Sequence, residues 1–239
     1  MMPDKRFTIL VPIYDEEDNI ERLSETLNAY LSIAKVPSQV LFINDGSKDK
    51  SLALIKKACA EHADLHFISL AKNKGLSGAI KAGIQHTQTE LIGYIDADLQ
   101  THPDDFNLLL EYADEFELVT GIRTGRKDSA VKNLSSKFAN GYRKLFTKDG
   151  AIDTGCPLKV IHTKNAKDLP MFKGMHRFIP ALIQMQEGKV KQIPVRHFPR
   201  IAGEAKYHLW NRLLGPFLDC WIFLWMKKRY INYKIEEQG

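Results

Sequence analysis

Short apolar runs alternate with longer helical stretches through the first half of the chain. Phe7–Val11, Gln39–Ile43, Leu65–Leu70, Leu91–Ile95 and Leu118–Thr120 are compact and rich in β-formers, which marks them as strands. Between them, the sequence predicts helices from the acidic stretch Asp15–Asp18 to about Ala34, over Ser51–Ala60, from the Lys72–Ser77 loop to about Thr87, and from Pro103 to Phe116. Ile20, Leu23, Leu27, Tyr30 and Leu31 fall on one face of the first. Acids in a first turn favour the helix dipole, and Pro103 suits a first turn. Strands alternating with helices argue for an α/β fold, a mostly parallel sheet with helices on both faces. The second half is less regular. Ser129–Phe146 and His176–Gln186 read as helices, and Leu158–His162 as a strand. Val190–Phe198 is a strand run interrupted by Pro194, which fits a sheet edge. No repeat, low-complexity tract or linker is visible, so one domain is expected.

The most informative stretch is Leu91–Gln100, LIGYIDADLQ. Its buried-strand run ends in Asp96-Ala97-Asp98. Residues two apart on an extended chain point the same way, so both carboxylates can share one side at the strand's carboxyl end. Open α/β sheets bind ligands there. Two hard oxygen donors suit Mg²⁺ or Mn²⁺, which also takes substrate phosphates. Taken alone, the pair also reads as two solvated acids closing a strand. The residues after strands 1, 2 and 4 are expected to gather at one edge of the sheet.

Composition narrows the partners. The chain has 239 residues and a net charge of +5. That balance suits anionic partners such as nucleotides, phosphates or membrane surfaces, and without a basic motif it gives no case for nucleic acid. Cys59, Cys156 and Cys220 are widely separated. They show neither a disulfide framework nor zinc spacing, which fits a reducing cytoplasm. Met1–Arg6 is short and polar, unlike a signal peptide. No run reaches the ~18 apolar residues needed to span a bilayer.

Three motifs stand in order: Pro12-Ile13-Tyr14-Asp15-Glu16, Ile43-Asn44-Asp45-Gly46-Ser47 and Asp96-Ala97-Asp98-Leu99-Gln100. Gly121-Ile122-Arg123 and Arg200-Ile201-Ala202-Gly203-Glu204-Ala205-Lys206-Tyr207 follow. Together they resemble the family 2 glycosyltransferases of GT-A fold. The closer resemblance is to polyprenyl-phosphate hexosyltransferases of the dolichyl-phosphate mannose synthase type. It implies that Pro12, Tyr14, Glu16, Ile43 and Asp45 hold a nucleoside, with Asp96 and Ala97 continuing that contact. Asp98 and Gln100, with Asp96, would hold Mg²⁺ or Mn²⁺. Arg123, Arg200 and Lys206 would face phosphates, and Asp98, Arg200 and Lys206 would be the catalytic set. The residue chemistry agrees: an aromatic face and acceptors suit a base and ribose, and arginine and lysine suit phosphate. The sequence departs from the family at Asp15, where asparagine is usual, at Asn44, where an acid is usual, and at Ala205, where serine is usual. Asp153–Lys159 matches an acceptor-side segment only loosely. His176 reads better as structural than as a general base. Lys72, Lys74 and Gly75 stand equally for a solvated loop and a phosphate contact.

The resemblance implies inverting transfer of a hexose from GDP- or UDP-hexose to a polyprenyl phosphate or other lipid. The alternative within the fold is a saccharide or lipid-A-like acceptor. A nucleotidyltransferase would carry a glycine-rich phosphate loop, and Val11–Glu17 has no glycine. A non-catalytic nucleotide-sugar-binding scaffold fits poorly with the full set of acids and cations. The expected division is a glycosyltransferase domain over 1–207 and an amphipathic tail over 208–239. Trp210, Leu213, Leu214, Phe217, Trp221, Leu224 and Trp225 fall at helical spacing, Gly215-Pro216 and Asp219 interrupt them, and Lys227-Lys228-Arg229 follows. That suits an interfacial, non-spanning helix, and equally a helix packed on its own domain or a dimer interface. The expected location is the cytoplasm, peripheral at the inner face of the cytoplasmic membrane, through direct contact or a membrane-protein partner.

Overall fold

The computed structural model describes residues 4–125, 141–199, 214–233 and 236–237. The apolar runs become a seven-stranded sheet: β1 (Phe7–Ile13), β2 (Ser38–Asn44), β3 (Leu65–Ser69), β4 (Leu91–Tyr94), β5 (Leu118–Arg123), β6 (Lys159–His162) and β7 (Val190–Val195). Their order is β3-β2-β1-β4-β6-β5-β7. Among the described residues the helices are α1 (Ile20–Leu31), α2 (Ser51–Glu61), α3 (Gly75–His86), α4 (Phe106–Leu110), α5 (141–147), α6 (Thr163–Lys167), α7 (Ile179–Met185) and α8 (Leu214–Arg229).

Every residue of β1, β2 and β4 except Pro12 is buried, as expected for strands covered on both faces. Alternate residues feed two cores. Phe7, Ile9, Val11 and Ile13 join the apolar faces of α1, α2 and α4. Leu10 joins those of α3, α6, α7 and α8. Gly93 leaves the space into which the Phe7 and Phe106 rings pack edge to face, 5.3 Å apart. Such a pair is worth about 0.5–1.5 kcal/mol beyond its buried area.

The sheet is mostly parallel, as expected, with β6 alone antiparallel to its neighbours β4 and β5. Three elements differ from the sequence reading. α1 begins at Ile20 rather than in the acidic stretch, because Asp15 has φ +49°, incompatible with a right-handed helix. The predicted helix Pro103–Phe116 is a 3₁₀ turn, then α4, then turns. After Leu110 the backbone bonds shorten to three residues, as in Tyr112 N–H to Leu109 O and Ala113 N–H to Leu110 O. The predicted His176–Gln186 helix divides at Phe178, because Pro180 sits in the first turn of α7. β7 does lie at an edge, with Pro194 in register with Ile122. The expected boundary between 207 and 208 lies outside the described residues.

Candidate active site

The chain lays β2 and then β3 outward from β1, and returns to place β4 on the other side of β1. The loops after β1 and β4 therefore leave in different directions, which opens a crevice at their carboxyl ends. The register is tight: Leu10 pairs with Tyr94, Ile13 with Asn44, and the Asp45 N–H donates to Ile13 O at 2.8 Å. Three of the motifs thus leave adjacent strands at one end of the sheet, as the sequence reading expected.

After β4 the chain turns sharply. Leu99 has φ +52°, a left-handed conformation that a branched side chain rarely adopts. The Gln100 N–H donates to Asp98 Oδ1 at 3.1 Å, and the Gln100 carbonyl accepts from Phe198 N–H at 2.9 Å. His197 Nδ1 lies 3.1 Å from that carbonyl. The turn is thereby clamped by the segment that follows β7. Strain held this way is common where a loop must aim a functional group. Asp98 is buried. Asp96 is partly buried and accepts from the Tyr94 hydroxyl at 2.5 Å. Burial and then the Asp98 charge push the Asp96 carboxyl up to about 6, while Tyr94, Lys159 and Arg123 pull the other way. Two acids held together at such a cost form a site that a cation would relax. Among the described residues no group of three or more His, Cys, Asp or Glu could hold a metal ion. Two carboxylates nevertheless fit Mg²⁺ or Mn²⁺, which keeps waters and completes its shell with substrate phosphates.

The loops after β1 and β2 are laced together. Asp15 N–H donates to Ser47 Oγ, Glu16 N–H to Ser51 Oγ and Glu17 N–H to Asp49 Oδ2. In return, Lys48 N–H donates to Asp15 Oδ1 at 2.7 Å and Lys50 N–H to Glu17 Oε2 at 2.9 Å. Asp15, a departure from the family, keeps what the position needs: a short polar side chain that tolerates positive φ and bonds locally. Asn44, another departure, is buried between Ser69 Oγ and the Ser47 N–H. An acid there would be a desolvated charge. Asp45 is buried and accepts from Lys74 N–H at 2.7 Å. Burial raises its carboxyl, and the Lys74 and Gly75 N–H groups oppose that. Gly46 has φ +68°, and a Cβ there would meet Asn73 N at 2.7 Å. The Lys72–Gly75 loop is therefore a backbone support for Asp45. Tyr14 and Glu16 are half-buried beside this lacing, and the Asp15 charge raises the Tyr14 phenol. Pro12 is half-buried, whereas the side chains of Ile43 and Ala97 are buried in the core.

Arg123 makes a bidentate pair with Asp153, 2.8 Å at each nitrogen. The pair joins the end of β5 to the loosely matched Asp153–Lys159 segment. Sequence reasoning missed Lys159. It is fully buried in β6, opposite Tyr94, with its ammonium on the Cys156 carbonyl. Burial pulls that ammonium down, while Cys156, Asp153 and Asp96 hold it up. Its sequence signals were its place at the end of the loosely matched Asp153–Lys159 segment and at the head of an apolar run. His176 Nδ1 lies 2.9 Å from Ser77 Oγ, which also accepts from Gly174 N–H. Burial, with Arg177 and Lys159 nearby, lowers His176 to about 3. Arg200 and Lys206 lie outside the described residues.

A sequence model of glycosyl transferase family 2 matches residues 8–166. The undecaprenyl-phosphate 4-deoxy-4-formamido-L-arabinose transferase of Salmonella choleraesuis is 34% identical over 221 residues, 91% of this chain and 67% of that protein. Among solved structures, a Pyrobaculum calidifontis mannosyltransferase in complex with GDP-Man and Mn²⁺ superposes with TM-score 0.63 at 21% identity, over 86% of this chain and 59% of that one. Glucosyl-3-phosphoglycerate synthase from Mycobacterium tuberculosis, in complex with Mn²⁺ and UDP-Glc, gives TM-score 0.67 at 14% identity, over 95% and 80%. These likenesses show the GT-A-like fold. With its paired acids at the β1/β4 crevice, the chain belongs to glycosyl transferase family 2 and is a glycosyltransferase.

Proposed function

We propose that the protein transfers a hexose, with inversion, from GDP- or UDP-hexose to a polyprenyl phosphate at the inner face of the cytoplasmic membrane. The observation that carries this reading is the Asp96–Asp98 turn, with Asp98 buried, beside the laced Pro12–Glu16 and Asp45 loops. A nucleoside would lie along Pro12, Tyr14, Glu16 and Asp45, with its diphosphate toward Asp98 and Gln100. Mg²⁺ or Mn²⁺ held there would neutralise charge building on the departing diphosphate. The structural neighbours' nucleotide-sugar and Mn²⁺ ligands support that choice. An acceptor phosphate oxygen attacks the anomeric carbon, and the bond from that carbon to the diphosphate breaks. Arg200 and Lys206 would stabilise the phosphates.

The acceptor class rests on two supports. The Salmonella relative is an undecaprenyl-phosphate transferase by name. In addition, His176, the histidine weighed as a general base, is a poor base. A His176 lowered to about 3 lies far from the pH at which a hydroxyl acceptor would need deprotonation. A phosphate acceptor is already anionic at pH 7. The test is a panel of labelled GDP- and UDP-sugars, pentoses included because the relative's sugar is an arabinose derivative. Each is incubated with Mn²⁺ and either undecaprenyl phosphate or soluble glycans. Label entering the organic phase only with the lipid phosphate is expected. Transfer to glycans alone would overturn the acceptor assignment.

A further inference from the structure

The tail helix has two faces with different fates. Its inner face is docked: Cys220 and Phe223 are buried, and Phe223 stacks on Phe178 with centroids 5.7 Å apart. Phe217 meets Tyr142 of α5 at 4.3 Å. A Cβ on Gly174 would overlap the Asp219 carboxylate, so that acid is turned toward the domain. The outer face carries Leu218, Trp221, Ile222 and Trp225, a stripe at helical spacing. Leu218, Trp221 and Trp225 are 64%, 61% and 63% exposed. α5 extends the same surface. Its Phe146 ring meets Trp221 at 5.3 Å, and its Leu145 is 70% exposed.

Exposed cations neighbour these apolar residues along both helices. Lys227, Lys228 and Arg229 end α8 and are exposed, as are Lys144 and Lys148 beside Leu145. The Arg229 guanidinium lies over the Trp225 ring, 5.3 Å from its central carbon to the ring centroid, so one of these charges is held against the stripe as a cation–π pair. Among the described residues no helix is long and apolar enough to cross a membrane. α5 and α8 therefore both carry exposed apolar side chains together with exposed cations.

We infer that the α5–α8 face is a docking surface for an anionic lipid bilayer. Leu145, Leu218, Trp221, Ile222 and Trp225 enter the headgroup–acyl boundary, and Lys144, Lys148, Lys227, Lys228 and Arg229 meet acidic headgroups. A second copy of the chain is the competing occupant. A two-fold interface would bring these cations against their own copies, and like charges oppose such pairing. The inference rests on the lipid-phosphate reading of the acceptor and says which surface brings the crevice to it. Because the inner face is fixed to the domain, the docked orientation is set by the fold.

The test is flotation of the full chain with vesicles of phosphatidylcholine alone or with one-third phosphatidylglycerol. The paired variant Leu218→Glu and Trp225→Glu changes two exposed side chains outside the crevice. Wild type should float with the anionic vesicles, and the variant should partition at least about tenfold less, a factor equal to 1.4 kcal/mol. Turnover on a water-soluble short-chain prenyl phosphate should be unchanged. Wild type remaining unbound, or a variant floating equally well, would overturn the inference. So would a concentration-dependent dimer that the variant abolishes, without flotation. Flotation without transfer to any prenyl phosphate would sink the acceptor reading and leave the docking surface standing.

Discussion

His176 shows how one half-buried side chain reports on the whole fold. Its imidazole is held against Ser77 and lowered from 6.5 to about 3, chiefly by burial. Between those two values the unfolded chain binds a proton that the folded chain refuses. Stability from this residue is therefore full above pH 6.5 and declines as pH falls toward 3, by about 1.4 kcal/mol per pH unit. His176→Gln keeps a hydrogen-bonding side chain and removes the titration. The variant should lose less stability than wild type between pH 7 and pH 5, measured as urea midpoints. Parallel loss in both proteins would show that His176 is not buried as a neutral ring. At the same scale, Asp15 and Asn44 stop being puzzling departures. One supports a left-handed turn, and the other fills a buried amide site.

Single elements carry the next level of the argument. α5 is pinned by Arg143, whose guanidinium donates to Asp149 at 2.5 and 3.2 Å and to the Ala151 carbonyl at 3.3 Å. The Asp149 side chain is fully buried. Asp149→Ala would leave a buried cation without its partner, which costs about 3–5 kcal/mol. Chemical denaturation should show a loss of that size, and one under about 1 kcal/mol, the range of exposed pairs, would contradict the packing described. Element identity was legible where the apolar period was strong. β1, β2, β4 and α1 follow from residues such as Phe7, Ile9, Ile20 and Leu23 whose burial is complete. It was not legible where tertiary contacts decide. Nothing local in Leu158–His162 says that β6 will enter antiparallel between β4 and β5. Likewise, the helical period of α8 could not separate packing from exposure, and the structure assigns one to each face.

At the scale of the molecule, topology assembles the site. Three short motifs far apart in sequence leave β1, β2 and β4 side by side. Their order along the chain was enough to anticipate that meeting. The supporting cast was legible only in part: Lys72–Gly75 reads equally as a solvated loop or a phosphate contact, and nothing local says that its backbone will support Asp45 or that Lys159 will be buried opposite Tyr94. The role proposed for the Asp96–Asp98 turn is to hold a cation against a nucleotide's diphosphate. Calorimetric titration of UDP and GDP into wild type and Asp98→Ala, with Mn²⁺ or with EDTA, decides it. One nucleotide should bind wild type at least about tenfold more tightly with Mn²⁺, a difference of 1.4 kcal/mol. Asp98→Ala, still folded, should lose that difference. Equal metal-dependent affinity in the two proteins would contradict it.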